Sequence, residues 1–291
     1  MTSTTQPGDD GELRTIRLYR IAHFFQQNIL AATVLVLVVL AGIFAPLLTS
    51  SDPHFIDPGL RLKPPSAEFP FGTDPIGRDV LARVLYGTRA SLMVGVLVAL
   101  IALAVGLVIG LVSGYFRAID GVVMRIMDGI MAIPAIILAV ALVAIMGANF
   151  ITVITAIVVP EVPRVARLVR SVVLSLRNEP YVEAAVSLAT PTWRILVRHM
   201  LPNTFAPLTV QGSFIIASAI LTESALSFLG IGLPPEIPTW GNIMADGRRF
   251  FQLLPGLVFF PGLFLSLTVL SINMLGDGLR DSLDPKLMKR I

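Results

Sequence analysis

The sequence contains no cysteine and few charged residues. Asp, Glu, Lys and Arg together make up only 14% of its 291 residues. The absence of thiols excludes disulfide bonds, a thiol nucleophile and cysteine metal sites. Soluble domains are usually about 25% charged, whereas 55% of this chain is hydrophobic and its mean hydropathy is +0.81. The composition therefore indicates a protein that uses lipid as part of its solvent.

Several common binding and catalytic signatures are also missing. No glycine is followed by lysine, so the chain has no Walker-type phosphate loop. His23, His54 and His199 are far apart and have none of the spacings of a metal site. The net charge is only +3 and the basic residues are scattered between apolar runs, which argues against a nucleic-acid surface. We expect no catalytic residue, cofactor or metal on this chain, and no nucleic-acid partner.

Long apolar runs predict an all-α integral membrane protein with six transmembrane helices. About 20 mainly apolar residues are needed for a helix to cross the hydrocarbon core, and the first such run, 29–48, has no charge. The fourth run is interrupted by Pro160, Glu161 and Pro163. The other predicted spans are 91–116, 129–146, 150–164, 205–222 and 253–275.

The distribution of Lys and Arg predicts that both termini lie in the cytoplasm. The cytoplasmic segments of such a topology hold fifteen of the 22 basic residues, and an excess of Lys and Arg is typical of cytoplasmic segments. On the outer side, the helical spacing of residues 79–89 predicts a short interfacial helix. Trp240 is expected to be an anchor at the outer membrane interface.

Two features within the spans leave alternatives open. Gly106, Gly110 and Gly114 recur every four residues, a pattern that lets another helix approach closely. The approaching helix belongs either to a second subunit or to the chain's own bundle. Ionisable residues in or near spans are candidates for a substrate path, or they interact with helix ends. These residues are Glu161, Arg164 and Glu223.

Residues 178–203 are too long and too polar for a simple connection between spans, and they predict two short helices. Asn178 would cap the first helix and place Glu183 near its positive end. Thr190 would cap the second helix, with Pro191 at the first position. Its apolar side would carry Trp193, Leu196 and Val197, and its basic side Arg194 and Arg198. Such a helix pair suits either insertion into a groove on a soluble partner or a position on the membrane surface.

Within this segment the sequence resembles a known motif. Glu183-Ala184-Ala185, Ala189 and Leu201-Pro202 resemble the EAA loop of ABC-importer permease subunits. From about residue 15 to 288 the chain is similar to the second permease subunit of dipeptide and oligopeptide transporters. The other matching pieces are Gly72-Thr73-Asp74, Gly77-Arg78-Asp79, Arg125, Asp128, Ala132-Ile133-Pro134, Ala166-Arg167-Leu168-Val169-Arg170, Leu226-Ser227-Phe228-Leu229-Gly230, Trp240-Gly241-Asn242, Leu275-Gly276-Asp277-Gly278-Leu279-Arg280-Asp281 and Leu283-Asp284-Pro285.

The resemblance implies a type I, MetI-like permease fold in the bacterial cytoplasmic membrane. The implied organisation is a cytoplasmic tail (1–28), a first transmembrane helix (29–48), an extracytoplasmic loop with an interfacial helix (49–90), a five-helix permease core (91–277) containing the EAA loop (178–203), and a cytoplasmic tail (278–291). The implied site for coupling to an ATPase comprises Glu183, Ala184, Ala185, Ala189, Arg194, Leu201 and Pro202.

The resemblance also implies partners. These are a homologous second permease subunit, two ATP-binding-cassette ATPase domains that carry ATP and Mg, and an extracytoplasmic peptide-binding protein. The chain itself would transport di- or oligopeptides and hydrolyse nothing. The same architecture could import a nickel complex or glutathione instead. An ion-coupled secondary transporter would need ionisable groups at mid-membrane and inverted repeats, and a membrane scaffold would not need the long cytoplasmic helix pair.

One position departs from the family pattern. Ala189 stands where the EAA pattern has glycine. If this residue ends the first helix with a positive φ, alanine costs about 1 kcal/mol relative to glycine. Alternatively, Thr190 and Pro191 make the bend, because the residue before a proline avoids the helical region.

Overall fold

The computed structural model describes residues 28–283 and consists of helices and loops. Within that range there is no β-strand, only a single bridge between Thr73 and Asp79. The predicted tails before residue 28 and after residue 283 lie outside the described residues. The helices are α1 (Asn28–Ile43), α2 (Ala45–Leu48), α3 (Val80–Tyr115), α4 (Arg117–Met131), α5 (Ala135–Met146), α6 (Phe150–Leu176), α7 (Pro180–Ser187), α8 (Thr192–Ile195), α9 (Leu201–Phe228), α10 (Trp240–Gly247) and α11 (Gly256–Leu283).

The glycine strip of α3 packs against α6 of the same chain. A Cβ atom added at Gly106 would lie 2.5 Å from the Cβ of Val165, and one at Gly110 would lie 2.6 Å from the Cβ of Val169. These positions leave no room for a side chain, and the backbones approach closely as small residues allow. Of the two alternatives, packing within the chain's own bundle is therefore confirmed.

Neighbouring helices run in the directions that alternating membrane crossings require. Along α3 and α6 the contacting residue numbers rise together, so these helices are parallel. Along α3 and α9 they run in opposite order, since Gly95 approaches Ile216 whereas Gly212 approaches Leu103. The predicted second and fourth spans should be parallel and the fifth antiparallel to both, and the packing agrees with this order.

Three helices are long and apolar enough to cross a membrane. They are α3, the continuous helix Thr192–Phe228 that contains α8 and α9, and α11. A fourth crossing is possible if α4 and α5, which are bent by 87° at a short break, count as one span. The all-α membrane fold is thus confirmed, while the number of six spans stays a prediction.

Two predicted spans differ from the structure at their prolines. The third breaks before Pro134, so that α5 has only 12 residues, roughly 18 Å at 1.5 Å per residue. Proline disfavours the helical conformation of the residue before it. In contrast, α6 continues through Pro160 and Pro163 for 27 residues. Neighbouring helices can stabilise such a proline-containing helix, and α6 packs against α3, α5 and α9.

The interfacial helix predicted at 79–89 is not a separate element. Helix α3 begins at Val80, where the Asp79 side chain accepts hydrogen bonds from the backbone N–H groups of Leu81 and Ala82, and it continues without a break to Tyr115. Arg83 in its first turns is only 1% exposed. Its charge does not face a membrane surface because acidic partners lie inside the protein.

Arg83 and its partners form an ion cluster, defined here as Asp74, Arg78, Arg83 and Asp246. Asp74 and Arg83 are buried, whereas Arg78 and Asp246 are partly exposed. The Nη1 atom of Arg83 lies 2.8 Å from the Oδ2 atom of Asp74 and 3.0 Å from the Oδ2 atom of Asp246. Arg78 bridges the same two carboxylates. Burial raises the pKa of Asp246; Arg78 opposes the shift and Asp74 adds to it. The cluster joins the loop before α3 to α10.

Helix α10 was not predicted, and the anchoring role predicted for Trp240 is wrong. Trp240 is fully buried, and its indole N–H donates to the carbonyl oxygen of Val84 at 3.3 Å. Thr239 caps α10 by accepting a hydrogen bond from the N–H of Asn242. The cap starts a helix inside a Gly- and Pro-rich segment, and that helix packs on α3, α9 and α11.

Glu223 is fully buried near the end of α9. Its Oε1 atom accepts hydrogen bonds from the hydroxyl groups of Ser227, at 2.7 Å, and Thr239, at 2.9 Å. The carboxylate thereby ties α9 to the cap of α10. These contacts favour the structural alternative for Glu223 over a place on a substrate path.

Candidate coupling site

The coupling loop, defined as residues 178–203, lies at the opposite end of the helix bundle from the ion cluster. It connects the end of α6 to α9 through α7 and α8. Helix α7 begins one residue later than predicted, because Glu179 rather than Asn178 is its N-cap and makes no side-chain capping bond. Pro180 occupies the first position, where its missing N–H is not needed, and Glu183 lies in the first turn, as predicted.

Ala189 makes the bend after α7. Its φ is +53°, in the left-handed region, and the N–H of Ala189 donates to the carbonyl of Val186 at 2.9 Å. The next N–H, that of Thr190, donates to the carbonyl of Ala185 at 3.1 Å. These two bonds are the Schellman pattern of a helix end. Alanine thus adopts the conformation that the family's glycine would take more easily.

Helix α8 starts at Thr192, as in the predicted helix Thr192–His199, but its cap differs from the prediction. Pro191, not Thr190, is its N-cap, and no side chain caps the helix. After Ile195 the chain forms a π turn over Leu196–Met200, in which the N–H of Leu201 donates to the carbonyl of Leu196. Pro202 follows at once and has no N–H to donate to the preceding turn. The π turn lets the helix pass this proline and continue directly into α9. The sequence had predicted that Leu201-Pro202-Asn203 ends the helix, and this prediction is wrong.

The predicted coupling residues fall into two groups. Most face solvent, whereas Ala185 is buried and Leu201 is half-buried. Arg194 places its guanidinium 5.5 Å from the centre of the Trp193 ring. The solvent-facing members are Glu183, Ala184, Ala189, Arg194 and Pro202.

The loop also exposes large apolar side chains that the predicted site did not include. Leu188 is 81% exposed and Trp193 is 62% exposed. The predicted apolar side of the second helix is wrong, because Trp193 and Val197 point outward while Ile195 and Met200 are buried. The sequence did carry a signal for this exposed surface, because Leu188 and Trp193 are apolar residues in a segment predicted to face water. Exposed apolar side chains on a polar loop make it a candidate interaction surface.

The arrangement can bind a partner but carries no apparatus for chemistry. Among residues 28–283 no group of three or more His, Cys, Asp or Glu could hold a metal ion. Tyr181 on α7 lies beside His199 in the π turn, with ring centres 5.9 Å apart. This contact joins α7 to the π turn.

Long apolar helices, joined by a loop that exposes apolar side chains, define the class of integral membrane proteins. The family model described as "Binding-protein-dependent transport system inner membrane component" matches residues 102–289. This chain belongs to that family. It is therefore a transport permease subunit of the inner membrane, and its predicted fold class is confirmed.

Three relatives illustrate the similarity. A probable peptide ABC transporter permease protein of Sinorhizobium fredii, y4tQ, is 48% identical over 99% of both chains. The dipeptide transport system permease protein DppC of Alkalihalophilus pseudofirmus is 46% identical over 90% of this chain and 88% of its own. The glutathione transport system permease protein GsiD of Pectobacterium atrosepticum is 39% identical, covering 91% and 89%.

Proposed function

We propose that this chain is the second permease subunit of an ABC importer that carries di- or oligopeptides across the cytoplasmic membrane. The subunit would line one pore together with a homologous permease subunit. A peptide-binding protein would deliver the substrate from outside. The names of the two more similar relatives support peptides as the substrate class. The glutathione permease supports a second candidate, and glutathione is itself a small peptide.

The coupling loop would dock onto an ATPase subunit, which would carry ATP and Mg. The observation that carries this proposal is the exposed apolar surface around Leu188 and Trp193, on a loop at the predicted cytoplasmic end. Apolar anchors surrounded by polar residues are typical centres of protein interfaces. Glu183 and Arg194 are exposed charges of the same loop and would form the rim, where charges set orientation and specificity.

Closure of two ATPase domains around ATP would move the loop as a rigid body. Such domain closure is a common source of switching transitions. The chain has no phosphate loop of its own, so the energy of hydrolysis would have to enter through this contact. The docked loop would then convert ATPase closure into a change between inward-facing and outward-facing pores.

Purification of the chain from its native membrane tests the proposal. We expect an ATPase subunit to elute with the wild-type protein and to be lost from Glu183→Arg, which reverses the charge at the rim of the surface. Glu68→Arg, the same change on an exposed residue of the loop before α3, should leave the ATPase bound. ATP-independent peptide transport by the wild type would contradict the importer function.

A further inference from the structure

The pair formed by Glu161 and Arg164 lies near the middle of α6, not at a span end. At 1.5 Å per residue, Glu161 is roughly 17 Å from the helix start at Phe150, which is about half of a hydrocarbon core of roughly 30 Å. Ser218 of α9 lies at a similar depth and donates its hydroxyl to the Oε1 atom of Glu161 at 3.1 Å. If α6 crosses the membrane from Phe150 onward, as predicted, the ion pair lies at mid-depth.

The two residues differ in what surrounds them. The Glu161 side chain is only 4% exposed, whereas that of Arg164 is 46% exposed, and their Nη1 and Oε1 atoms are 2.8 Å apart. Arg164 has five N–H donors, and within residues 28–283 Glu161 is its one hydrogen-bond partner. A guanidinium at this depth is strongly unfavourable against lipid. Its exposed face therefore meets either protein from a partner or a water-filled path.

Two further observations favour the path. In the described part of the chain only two buried side-chain polar atoms lack a hydrogen-bond partner, and one of them is Oε2 of Glu161. Pro160 and Pro163 also have no N–H to donate to the carbonyls of Ala156 and Val159. An unused buried acceptor beside a half-exposed cation is costly in a dry interface, so this part of α6 is not fully satisfied within the single chain.

We propose that Arg164 lines the translocation path and binds the terminal carboxylate of the transported peptide, with Glu161 as a positioning residue. This inference rests on the proposed peptide-import function. A guanidinium recognises a carboxylate through two parallel N–H···O bonds. Glu161 anchors one edge of the guanidinium and leaves the other donors free. Every linear peptide ends in a carboxylate, so the contact serves substrates that differ in their side chains.

Uptake by the complete transporter in proteoliposomes tests the contact. Arg164→Gln should lower ATP-dependent uptake of alanyl-alanine at least about tenfold, the size expected for losing a charge-assisted hydrogen bond. Uptake of alanyl-alanine amide should change less than about twofold. Any preference of the binding protein for the acid or the amide cancels when the uptake of one substrate by a variant is divided by its uptake by the wild type. Glu161→Gln should also lower the uptake of alanyl-alanine more than that of alanyl-alanine amide, but by a smaller factor than Arg164→Gln does. Glu161→Asp, which keeps the carboxylate, should restore uptake.

Arg167→Gln is the matched control, because Arg167 is also half-exposed and paired, with Asp128, but lies one turn further along α6. It should not separate the two substrates. If Arg164→Gln lowers the uptake of acid and amide equally, or lowers neither, the inference about Arg164 is overturned while the proposed function stands. Absence of ATP-dependent uptake of either dipeptide by the wild type contradicts the proposed function instead.

Cysteine labelling provides a second measurement that does not depend on uptake. The chain has no native cysteine, so a cysteine introduced by Arg164→Cys is the sole thiol on this subunit. We expect the charged, membrane-impermeant reagent MTSET to label it and alanyl-alanine to slow the labelling. Val108→Cys on the exposed face of α3 should stay unlabelled. Failure to label Arg164→Cys would mean that this face is covered by lipid or by a partner, and would overturn the inference.

Discussion

The ion cluster and the coupling loop show opposite arrangements at the two ends of one bundle. In the ion cluster, Arg83 and Asp74 are buried and neutralise each other within the chain. In the coupling loop, Leu188 and Trp193 are apolar and exposed. The charges of the first arrangement are paired within a single subunit, although the Nε atom of Arg83 has no hydrogen-bond partner. The second would be covered by the proposed ATPase partner, so a substitution should damage folding at one end and assembly at the other.

The largest effect is expected from breaking the ion cluster. Arg83→Met leaves the carboxylate of Asp74 buried with fewer partners, and removing one member of a buried ion pair costs about 3–5 kcal/mol. We expect a large fall in the thermal unfolding temperature of the detergent-solubilised protein. Arg61→Met, at an exposed arginine of the loop before α3, should change stability by less than about 0.5 kcal/mol. Equal stability of both variants would remove the contrast between the two ends.

A smaller effect of opposite sign is expected within the coupling loop. Ala189→Gly removes the strain of a positive φ and should stabilise the end of α7 by about 1 kcal/mol. Amide hydrogen exchange in α7 should then slow about fivefold, which is the same free energy expressed as a rate. Ala184→Gly, inside the helix, should accelerate exchange by a similar factor. Faster exchange in Ala189→Gly would show that Pro191 imposes the bend.

The smallest effect concerns the pH dependence of the ion cluster. Because burial raises the pKa of Asp246 above its ordinary value of 3.8, the folded protein holds this proton more tightly than the unfolded chain does. Its contribution to stability is complete below the ordinary value and is lost as pH rises through the raised pKa. The unfolding temperature of the wild type relative to Asp246→Asn should therefore decline as pH rises above 3.8. A difference that increases with pH would mean that Arg78 and Arg83 outweigh burial.

The features that the sequence predicted well depend on neighbours along the chain. The apolar runs, the glycine spacing of α3 and the alternation of helix directions all follow from local composition. The prediction of two helices between 178 and 203 was also local, and both exist, although the N-cap of each lies one residue later than predicted. In the loop, the choice between Ala189 and Pro191 needed only one backbone angle, and the structure supplies it.

The features that the sequence did not predict depend on contacts between distant segments. In the sequence, Arg83 and Trp240 resemble surface residues, because their partners Asp246 and Val84 lie far away along the chain. Proline gave no uniform rule, since Pro134 precedes a break while Pro160 and Pro163 lie inside α6. The outcome at each proline was set by helix packing, which a single sequence does not display.

The π turn at Leu196–Met200 has a geometric consequence for α8. Such a turn contains one residue more than an α-helical turn, and each residue of an α-helix advances by about 100° around the axis. The side chains before the turn are therefore out of phase by about 100° with those of α9. Conversion of this turn to ordinary α-helix would swing Trp193 around the helix axis by that angle. A change of one hydrogen-bond register could thus re-aim the docking surface with little translation of the span.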